Sequence, residues 1–405
     1  MAVAPTRAPS RSAAFVIVAL ALFVLLLDGN LPTPLYAVYR EEFGFSGTTL
    51  TLNFAVYAIA LVPSLLVFGQ LSDRVGRVPV IVGALAVAAL GLVLLAVAHS
   101  TVELLLARAV QGLALGAAVG TVPAALVELH PSGDHARAAI GAVLGQSGGS
   151  AAGPLLAGAL AEWAPAPKQL SYLVGLALTI VAAAAVLTVR EPREETGEWR
   201  IQRPSVPPEI RAAFVRAGMT CAACWAVGAL FLSVVPSYAS KLLDTSNLAL
   251  LGAISATMLA MACLAQVACL RGSLTPRRAQ PLGLAFLIAG IGALIAAFPL
   301  HTLVLVLAAA LLAGSGLGFG YFGSQAEIND LAPDERRGEV TAAFITFVYA
   351  SVSVTAIATG LMSDALSLST AVAITGATVA TVAAVTTAWH VSSLRGGRRR
   401  AHRAG

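Results

Sequence analysis

The stretch FGQLSDRVGRVPV, residues 68–80, places Asp73, Arg74 and Arg77 in a short turn between two long apolar runs. The whole chain has 405 residues, of which 58% are hydrophobic and 11% are charged. A soluble domain carries about 25% charged residues. The composition therefore excludes an ordinary soluble protein and predicts that most of the chain contacts lipid, with this turn outside the bilayer.

Apolar runs long enough to cross a membrane recur along the sequence on both sides of this turn. A helix needs about 20 apolar residues to span the hydrocarbon core. The pattern predicts an all-α integral membrane protein with twelve transmembrane helices. The predicted spans are 13–38, 47–68, 79–98, 102–127, 137–162, 169–189, 217–240, 247–270, 280–299, 302–326, 339–363 and 369–393.

One long polar segment, rich in charge and proline, divides the spans into two sets of six. We expect an N-terminal six-helix bundle over 1–189, a cytoplasmic linker over 190–216, a C-terminal six-helix bundle over 217–393 and a basic cytoplasmic tail over 394–405. A shift of 202 residues places Gly112 on Gly314 and Gly158 on Gly360. Two similar sets in the same orientation are typical of a transporter with two halves.

Basic residues predict how the chain crosses the membrane. The connections that follow odd-numbered spans hold three, Arg40, Lys168 and Lys241, whereas 21 of the 25 Lys and Arg lie in the other connections and the termini. Positive loops stay on the cytoplasmic side. We therefore expect both termini in the cytoplasm and the protein in the cytoplasmic (inner) membrane. The basic tail suits anionic lipid, and we expect no nucleic-acid partner.

The turn after the second span resembles a signature of the major facilitator superfamily, Gly-x-Leu-Ala-Asp-Arg-x-Gly-Arg-Lys-x-x-Leu. The departures are Ser72, Val78 and Ile81. The resemblance implies a secondary active transporter that works by alternating access. The matching residues are Gly69, Leu71, Asp73, Arg74, Gly76 and Arg77.

The same turn is a candidate gate. A tight turn needs glycine where the backbone bends, and an aspartate can face the positive N-terminal end of a helix. By resemblance, Asp73 would contact the start of helix eleven near Arg336, and Arg77 could pair with Glu128. The alternative is a basic anchor with a capping aspartate.

Two charges lie inside predicted spans, Asp28 in helix one and Arg108 in helix four. Each costs roughly 2.5 to 3.5 kcal/mol near the centre of a span. Counting along the helices places them at a similar depth, where they could pair. The sequence RAVQG, 108–112, also resembles the helix-four signature of the family, which implies proton coupling with Asp28 as the carrier. A fixed ion pair, or an arginine that holds backbone carbonyls, is the alternative.

Helix five carries glycines at every fourth residue, a spacing that places them on one face and allows close helix packing. The run also resembles the antiporter signature of the family, although Ala157 replaces one glycine. The resemblance implies an exporter, and simple packing is the alternative. The residues are Gly145, Gly149, Gly153, Pro154 and Gly158.

Polar and aromatic residues inside the spans must find partners or water. They are candidates for lining a substrate cavity, with hydrogen bonding between helices as the alternative. The prolines of 30–36 also predict a bend in helix one. The candidates are Pro32, Tyr36, Asn53, Tyr57, Gln111, Gln146, Trp225, Tyr321 and Gln325.

Together these features favour a proton-coupled exporter of small organic compounds such as drugs or metabolites. An importer of a sugar or small organic acid, or a membrane sensor without transport, remains open. We expect no enzyme activity, because the six histidines form no ligand spacing and the sequence has no phosphate-binding loop. We also expect no cofactor and no metal, a proton gradient as energy source, and a monomer in the bilayer.

Overall fold

The computed structural model describes residues 9–192, 204–272 and 274–404, and the regular elements in these ranges are helices. In the first half they are α1 (Arg11–Asn30), α2 (Pro32–Phe43), α3 (Gly47–Val75), α4 (Arg77–Ala96), α5 (Thr101–Leu129), α6 (His135–Val143), α7 (Gly149–Trp163) and α8 (Gln169–Val186). In the second half they are α9 (Arg211–Ser233), α10 (Val235–Leu243), α11 (Leu248–Arg271), α12 (Pro276–Leu300), α13 (Leu303–Leu331), α14 (Arg337–Ala365) and α15 (Leu368–Ala404).

Eleven helical segments of the described chain are long and apolar enough to cross a membrane. They correspond to eleven of the twelve predicted spans. The fifth predicted span, 137–162, is instead built from α6, a π-helical turn at Leu144–Gly148 and α7, which follow one another directly. The protein is therefore an all-helical multi-pass membrane protein, and twelve spans with cytoplasmic termini stay a prediction.

Helix one is broken at Leu31, where the sequence predicted a bend. Pro32 has no N–H group, so the carbonyl of Asp28 loses the donor that would lie four residues later. Leu31 caps α1, and α2 begins directly at Pro32. The break therefore exposes backbone carbonyls of 28–30 to side chains of neighbouring helices.

The predicted linker and tail have different helical bounds from those expected. A 3-10 turn at Pro208–Ile210 and the start of α9 at Arg211 fall inside the predicted linker of 190–216. The tail of 394–405 continues α15 as far as Ala404, which suits basic residues at a helix C-terminus. Residues 193–203 of the predicted linker lie outside the described part of the chain.

The contacts divide the chain into two compact units. Unit 1 comprises the described parts of Met1–Gly44, Val56–Ile201 and Leu248–Ala256. Unit 2 comprises the described parts of Phe45–Ala55, Gln202–Asn247 and Thr257–Gly405. The division passes through two helices, α3 after Ala55 and α11 after Ala256.

Candidate functional site

A buried carboxyl group lies in unit 1. Asp28 is 1% exposed, and its Oδ2 accepts a hydrogen bond of 2.5 Å from the hydroxyl of Thr179 on α8. Among the residues that the structure describes, Oδ1 has no hydrogen-bond partner. A Cβ atom added at Gly175 would lie 2.8 Å from Oδ1, so a glycine one turn before Thr179 makes room for the carboxyl group.

Arg108 lies beside this group but does not form the expected ion pair with it. The guanidinium Nη1 donates to the carbonyl of Gly29 at 2.8 Å and to Oε1 of Gln111 at 2.7 Å. Nε2 of Gln111 in turn donates to the carbonyl of Asp28 at 3.1 Å. Pro32 cannot supply the usual donor four residues later, and the N–H of Leu31 reaches this carbonyl only at 3.4 Å. The predicted salt bridge between Asp28 and Arg108 is therefore wrong. Arg108 and Gln111 instead bind backbone oxygens at the break in helix one.

Aromatic side chains surround Arg108. Its guanidinium carbon lies 4.4 Å from the ring centroid of Tyr57, a distance typical of a cation–π interaction. Tyr36 is 1% exposed and interacts electrostatically with Arg108. One turn further along α2, the hydroxyl of Tyr39 donates to that of Tyr172 at 3.1 Å. The structure therefore brings the predicted residues Tyr36, Tyr57 and Gln111 to the two predicted charges.

The charged turn between α3 and α4 is organised by Arg77, which is 5% exposed. Its Nη2 lies 2.5 Å from Oδ1 of Asp73 and 3.1 Å from Oε1 of Glu128 on α5. Its Nη1 donates to the hydroxyl of Ser72 at 2.6 Å. The predicted pair of Arg77 with Glu128 is present in unit 1, whereas Arg74 is exposed.

A residue that the sequence reasoning missed completes this turn. Glu191, which follows α8, accepts from the backbone N–H groups of Arg77 at 2.7 Å and Val78 at 2.9 Å. A carboxylate at a helix start satisfies N–H groups that have no partner within the helix. Gly76 has φ +94°, a backbone conformation that favours glycine. The sequence signals that could have identified Glu191 are its negative charge and its position directly after a predicted span.

The predicted glycine face of helix five packs on the backbone of α1. A Cβ atom added at Gly145 would lie 2.9 Å from the carbonyl oxygen of Ala19. Added at Gly149 or Gly153, it would collide with the carbonyl oxygens of Phe23 and Leu27. Each glycine thus meets the α1 carbonyl one turn further along. Pro154 is buried in α7, and Gly158 faces the start of α11 instead.

The other predicted cavity residues lie in both units. In unit 1, Gln146 is half-buried within the π-helical turn. In unit 2, Trp225 and Tyr321 make an edge-to-face contact with ring centroids 6.0 Å apart, and Nε2 of Gln325 is 3.4 Å from Asn329. Asn53, also in unit 2, donates to the carbonyl of Thr49 on its own helix at 2.9 Å.

Unit 2 contains a buried charge cluster. The sequence reasoning missed its buried arginine, Arg216, because that residue stands at the edge of the seventh predicted span. Oε1 of Glu327 on α13 lies 2.7 Å from Arg216 on α9 and 3.2 Å from Nε of Arg277 on α12. Gln280 donates to Oε2 of Glu327 at 2.6 Å. Arg216 was counted as a loop cation, yet it is 8% exposed. The cluster ties three helices together.

A multi-pass helical protein with buried charges in its spans and a charged turn between two of them has the features of a membrane transporter. Residues 18–354 match the family described as Major Facilitator Superfamily, which is more than half of the chain. The protein therefore belongs to the Major Facilitator Superfamily, whose members are transporters.

Curated relatives match parts of the chain. An uncharacterized MFS-type transporter of Mycobacterium tuberculosis is 32% identical over 155 residues, which cover 36% of this chain and 22% of that protein. The quinolone resistance protein NorA of Staphylococcus aureus is 23% identical over 177 residues, covering 43% of this chain and 45% of NorA. The matches thus span less than half of either relative.

Solved transporters share the fold over nearly the whole chain. A bacterial homolog of the human lysosomal transporter Spinster, in an inward-facing and unoccupied conformation, has a TM-score of 0.73 at 17% identity and covers 96% of this chain and 97% of its own. The nucleoside transporter NupG has a TM-score of 0.73 at 12% identity and covers 93% of this chain and 99% of its own. At these identities the likeness establishes the fold.

Proposed function

We propose that the protein is a proton-coupled exporter of small, uncharged or weakly polar organic compounds, and that Asp28 carries the proton. The observation that carries the proposal is the environment of Asp28, a buried carboxyl group with one hydroxyl donor and no salt bridge among the described residues. Burial of an unpaired carboxylate is costly, so a buried group of this kind holds a proton.

The neighbouring arginine supplies the means of release. Arg108 contacts the carbonyl of Gly29, the residue after Asp28, and therefore lies within a short side-chain movement of the carboxyl group. A nearby cation favours the charged carboxylate. Movement of α2 at the break, driven by substrate, would let Arg108 turn from the backbone carbonyl to Asp28 and release the proton.

The charged turn supplies a gate on the cytoplasmic side of this cycle. Asp73, Glu128 and Glu191 all contact Arg77 or the start of α4, so the turn is held by several separate contacts. The side chain of Asp73 is 49% exposed, so water can replace its contact with Arg77. Such a set can separate and form again during each transport cycle.

The class of substrate rests on the side chains and on the relatives. The candidate cavity residues are mostly aromatic and amide side chains, which suit uncharged compounds better than polyanions. The name of NorA associates that protein with quinolone resistance, which favours export of organic compounds. The alternative is an importer of a sugar or small organic acid, and the fold shared with the nucleoside transporter NupG keeps uptake of a polar solute as the second candidate.

The test uses the full-length protein in liposomes that contain a trapped pH dye. A pH gradient is imposed, and an uncharged drug, a quinolone, a nucleoside and a sugar are added in turn. We expect proton movement that depends on an organic compound and opposes its direction in the wild type. The Asp28→Asn variant should bind the compound and lose the coupled proton movement.

Two matched variants make the result specific. Thr179→Val removes the hydroxyl donor to Asp28 at nearly constant volume and should shift the pH at which coupled flux is half-maximal. Asp134→Asn changes a partly exposed carboxyl group outside the spans and should leave flux unchanged. Coupled flux that survives in Asp28→Asn would refute the role of Asp28, and proton movement in the direction of the solute would favour the importer.

A further inference from the structure

A carboxylate at the end of α14 holds the start of another helix in unit 2. Oδ1 of Asp364 accepts from the backbone N–H of Gly47 at 2.6 Å, and Oδ2 accepts from Thr48 at 2.9 Å. These residues begin α3, and the first N–H groups of a helix have no partner within the helix. Negative charge is stabilising at this position, so Asp364 fastens the start of α3 to α14.

A carboxylate at the end of α7 does the same in unit 1. Oε2 of Glu162 accepts from the backbone N–H of Leu248 at 2.8 Å. Leu248 is the first residue of α11. Glu162 therefore fastens the start of α11 to α7, as Asp364 fastens α3 to α14.

The two contacts are copies of one another in the internal repeat. The shift of 202 residues places Glu162 on Asp364 and Gly158 on Gly360. In each copy the glycine precedes the carboxylate by four residues, so both lie on the same helix face. The residue type differs between the copies, but the charge is the same.

The repeated glycines allow the helices to cross at these points. A Cβ atom added at Gly158 would lie 2.6 Å from the carbonyl oxygen of Leu248. A Cβ atom added at Gly360 would lie 2.8 Å from the Cα of Thr48 and 2.9 Å from the carbonyl oxygen of Gly47. At both crossings the helices therefore lie too close for a side chain larger than that of glycine, and each crossing brings a carboxylate to a helix start.

The two helices whose starts are held by these carboxylates, α3 and α11, are also the two that the division into units passes through. The first residues of α3 belong to unit 2 and the rest to unit 1, and the reverse holds for α11. Asp73 lies near the other end of the 29-residue helix α3, about 40 Å away at 1.5 Å per residue. Asp364 is exposed and Glu162 is half-buried, so water can replace either carboxylate.

We propose that Glu162 and Asp364 form a paired carboxylate clasp, which holds the starts of α11 and α3 in one state of the transport cycle and releases both in the other. The clasp acts on the membrane face opposite to the charged turn of Asp73 and Arg77. This inference rests on the proposed alternating access and adds the residues that close the second face. If both contacts form in one state and break in the other, loss of either contact shifts the population toward the released state and so weakens the other contact.

The test is hydrogen exchange on the purified full-length protein in lipid nanodiscs, without substrate or gradient. In Asp364→Ala we expect at least tenfold faster exchange in residues 47–52, where the contact is lost. We also expect severalfold faster exchange in residues 248–253, which Asp364 does not touch. Glu162→Ala should give the reciprocal pattern. Asp364→Asn, which keeps an acceptor without the charge, should give a smaller change of the same kind.

A matched control separates a clasp from a simple helix cap. The hydroxyl of Ser100 accepts from the backbone N–H of Glu103 at 3.3 Å, at the start of a different helix, α5. Ser100→Ala should therefore speed exchange near residue 103 and leave 47–52 and 248–253 unchanged. If Asp364→Ala also acts only on its own helix start, the clasp is refuted.

A cross-link provides the opposite perturbation. A Cβ atom at Gly47 would lie 3.1 Å from the Cβ of Ser363, so Gly47→Cys with Ser363→Cys can form a disulfide after a small adjustment. Oxidation should slow exchange in 248–253 and stop transport reversibly. Unchanged exchange there would overturn the inference. If the wild type shows no proton coupling but the variants show these exchange patterns, the proposed energy source is refuted and the clasp is retained.

Discussion

Replacement of Arg216 is the sharpest test of the buried charge cluster in unit 2. The Arg216 side chain is 10% exposed and that of Glu327 is 2% exposed, with 2.7 Å between the charged atoms. Removing one member of a buried pair costs about 3 to 5 kcal/mol, because the other charge is left without compensation. Arg277 and Gln280 still contact Glu327 in the Arg216→Ala variant, so we expect the lower end, about 3 kcal/mol.

The expected loss of stability can be measured as a melting temperature. The unfolding entropy scales with length, so 1 kcal/mol shifts the midpoint of a 405-residue chain by about 1 °C, and Arg216→Ala should melt about 3 to 4 °C lower. The four cysteines are buried thiols that form no disulfide, and a thiol-reactive dye therefore reports unfolding. Detergent, salt and protein concentration are held constant across the variants.

Two controls determine whether burial is the cause. The side chain of Arg277 is 60% exposed, so Arg277→Ala should cost only about 0 to 1 kcal/mol. The double variant Arg216→Leu with Glu327→Leu removes both charges and should melt above Arg216→Ala. Gln280 keeps a contact with the carbonyl of Gly323 in that variant. Equal shifts for the two arginine variants, or a double variant less stable than Arg216→Ala, would refute the reasoning.

Three further predictions concern unit 1. Gly153→Val should destabilise the protein by about 1 to 3 kcal/mol, since its side chain would meet the carbonyl of Leu27, and thermal unfolding with Ala152→Val as control measures this. Glu191→Ala should cost about 1 kcal/mol as a lost cap and speed hydrogen exchange at the start of α4; no local change would contradict it. The backbone N–H of Arg137 lowers the pKa of Asp134, so this cap of α6 is complete above about pH 4 and is lost as pH falls through the lowered pKa. As pH falls, the protection of backbone N–H groups at the start of α6 against hydrogen exchange should decrease in the wild type and stay constant in Asp134→Asn.

Local sequence patterns predicted most of the helices and part of the site. Hydropathy located eleven spans because each depends on the length of one apolar run. The pair of Arg77 and Glu128 was predicted from a short signature and is present. Helix counting placed Asp28 and Arg108 at a similar depth, and Arg108 indeed reaches the residue next to Asp28.

The same reasoning failed where a partner lies far away in the chain. The expected pair of Asp28 and Arg108 is replaced by a hydrogen bond from Thr179, 151 residues from Asp28, and by backbone contacts of Arg108. An isolated threonine in an apolar span carries no pattern that reveals its partner. The π-helical turn around Gln146 was also missed, since helical periodicity does not show one inserted residue.

The sequence by itself determined that this protein is a multi-pass helical membrane protein and indicated its family, because apolar length and a charged turn between spans depend only on local composition and order. The tertiary structure alone decided which buried charges are paired, which carboxylates hold helix starts and where the α1 backbone opens to Arg108. Those outcomes depend on hydrogen-bond distances of 2.5 to 3.1 Å between atoms on different helices. Such distances follow from glycine crossings and a proline break that act only once the helices have packed.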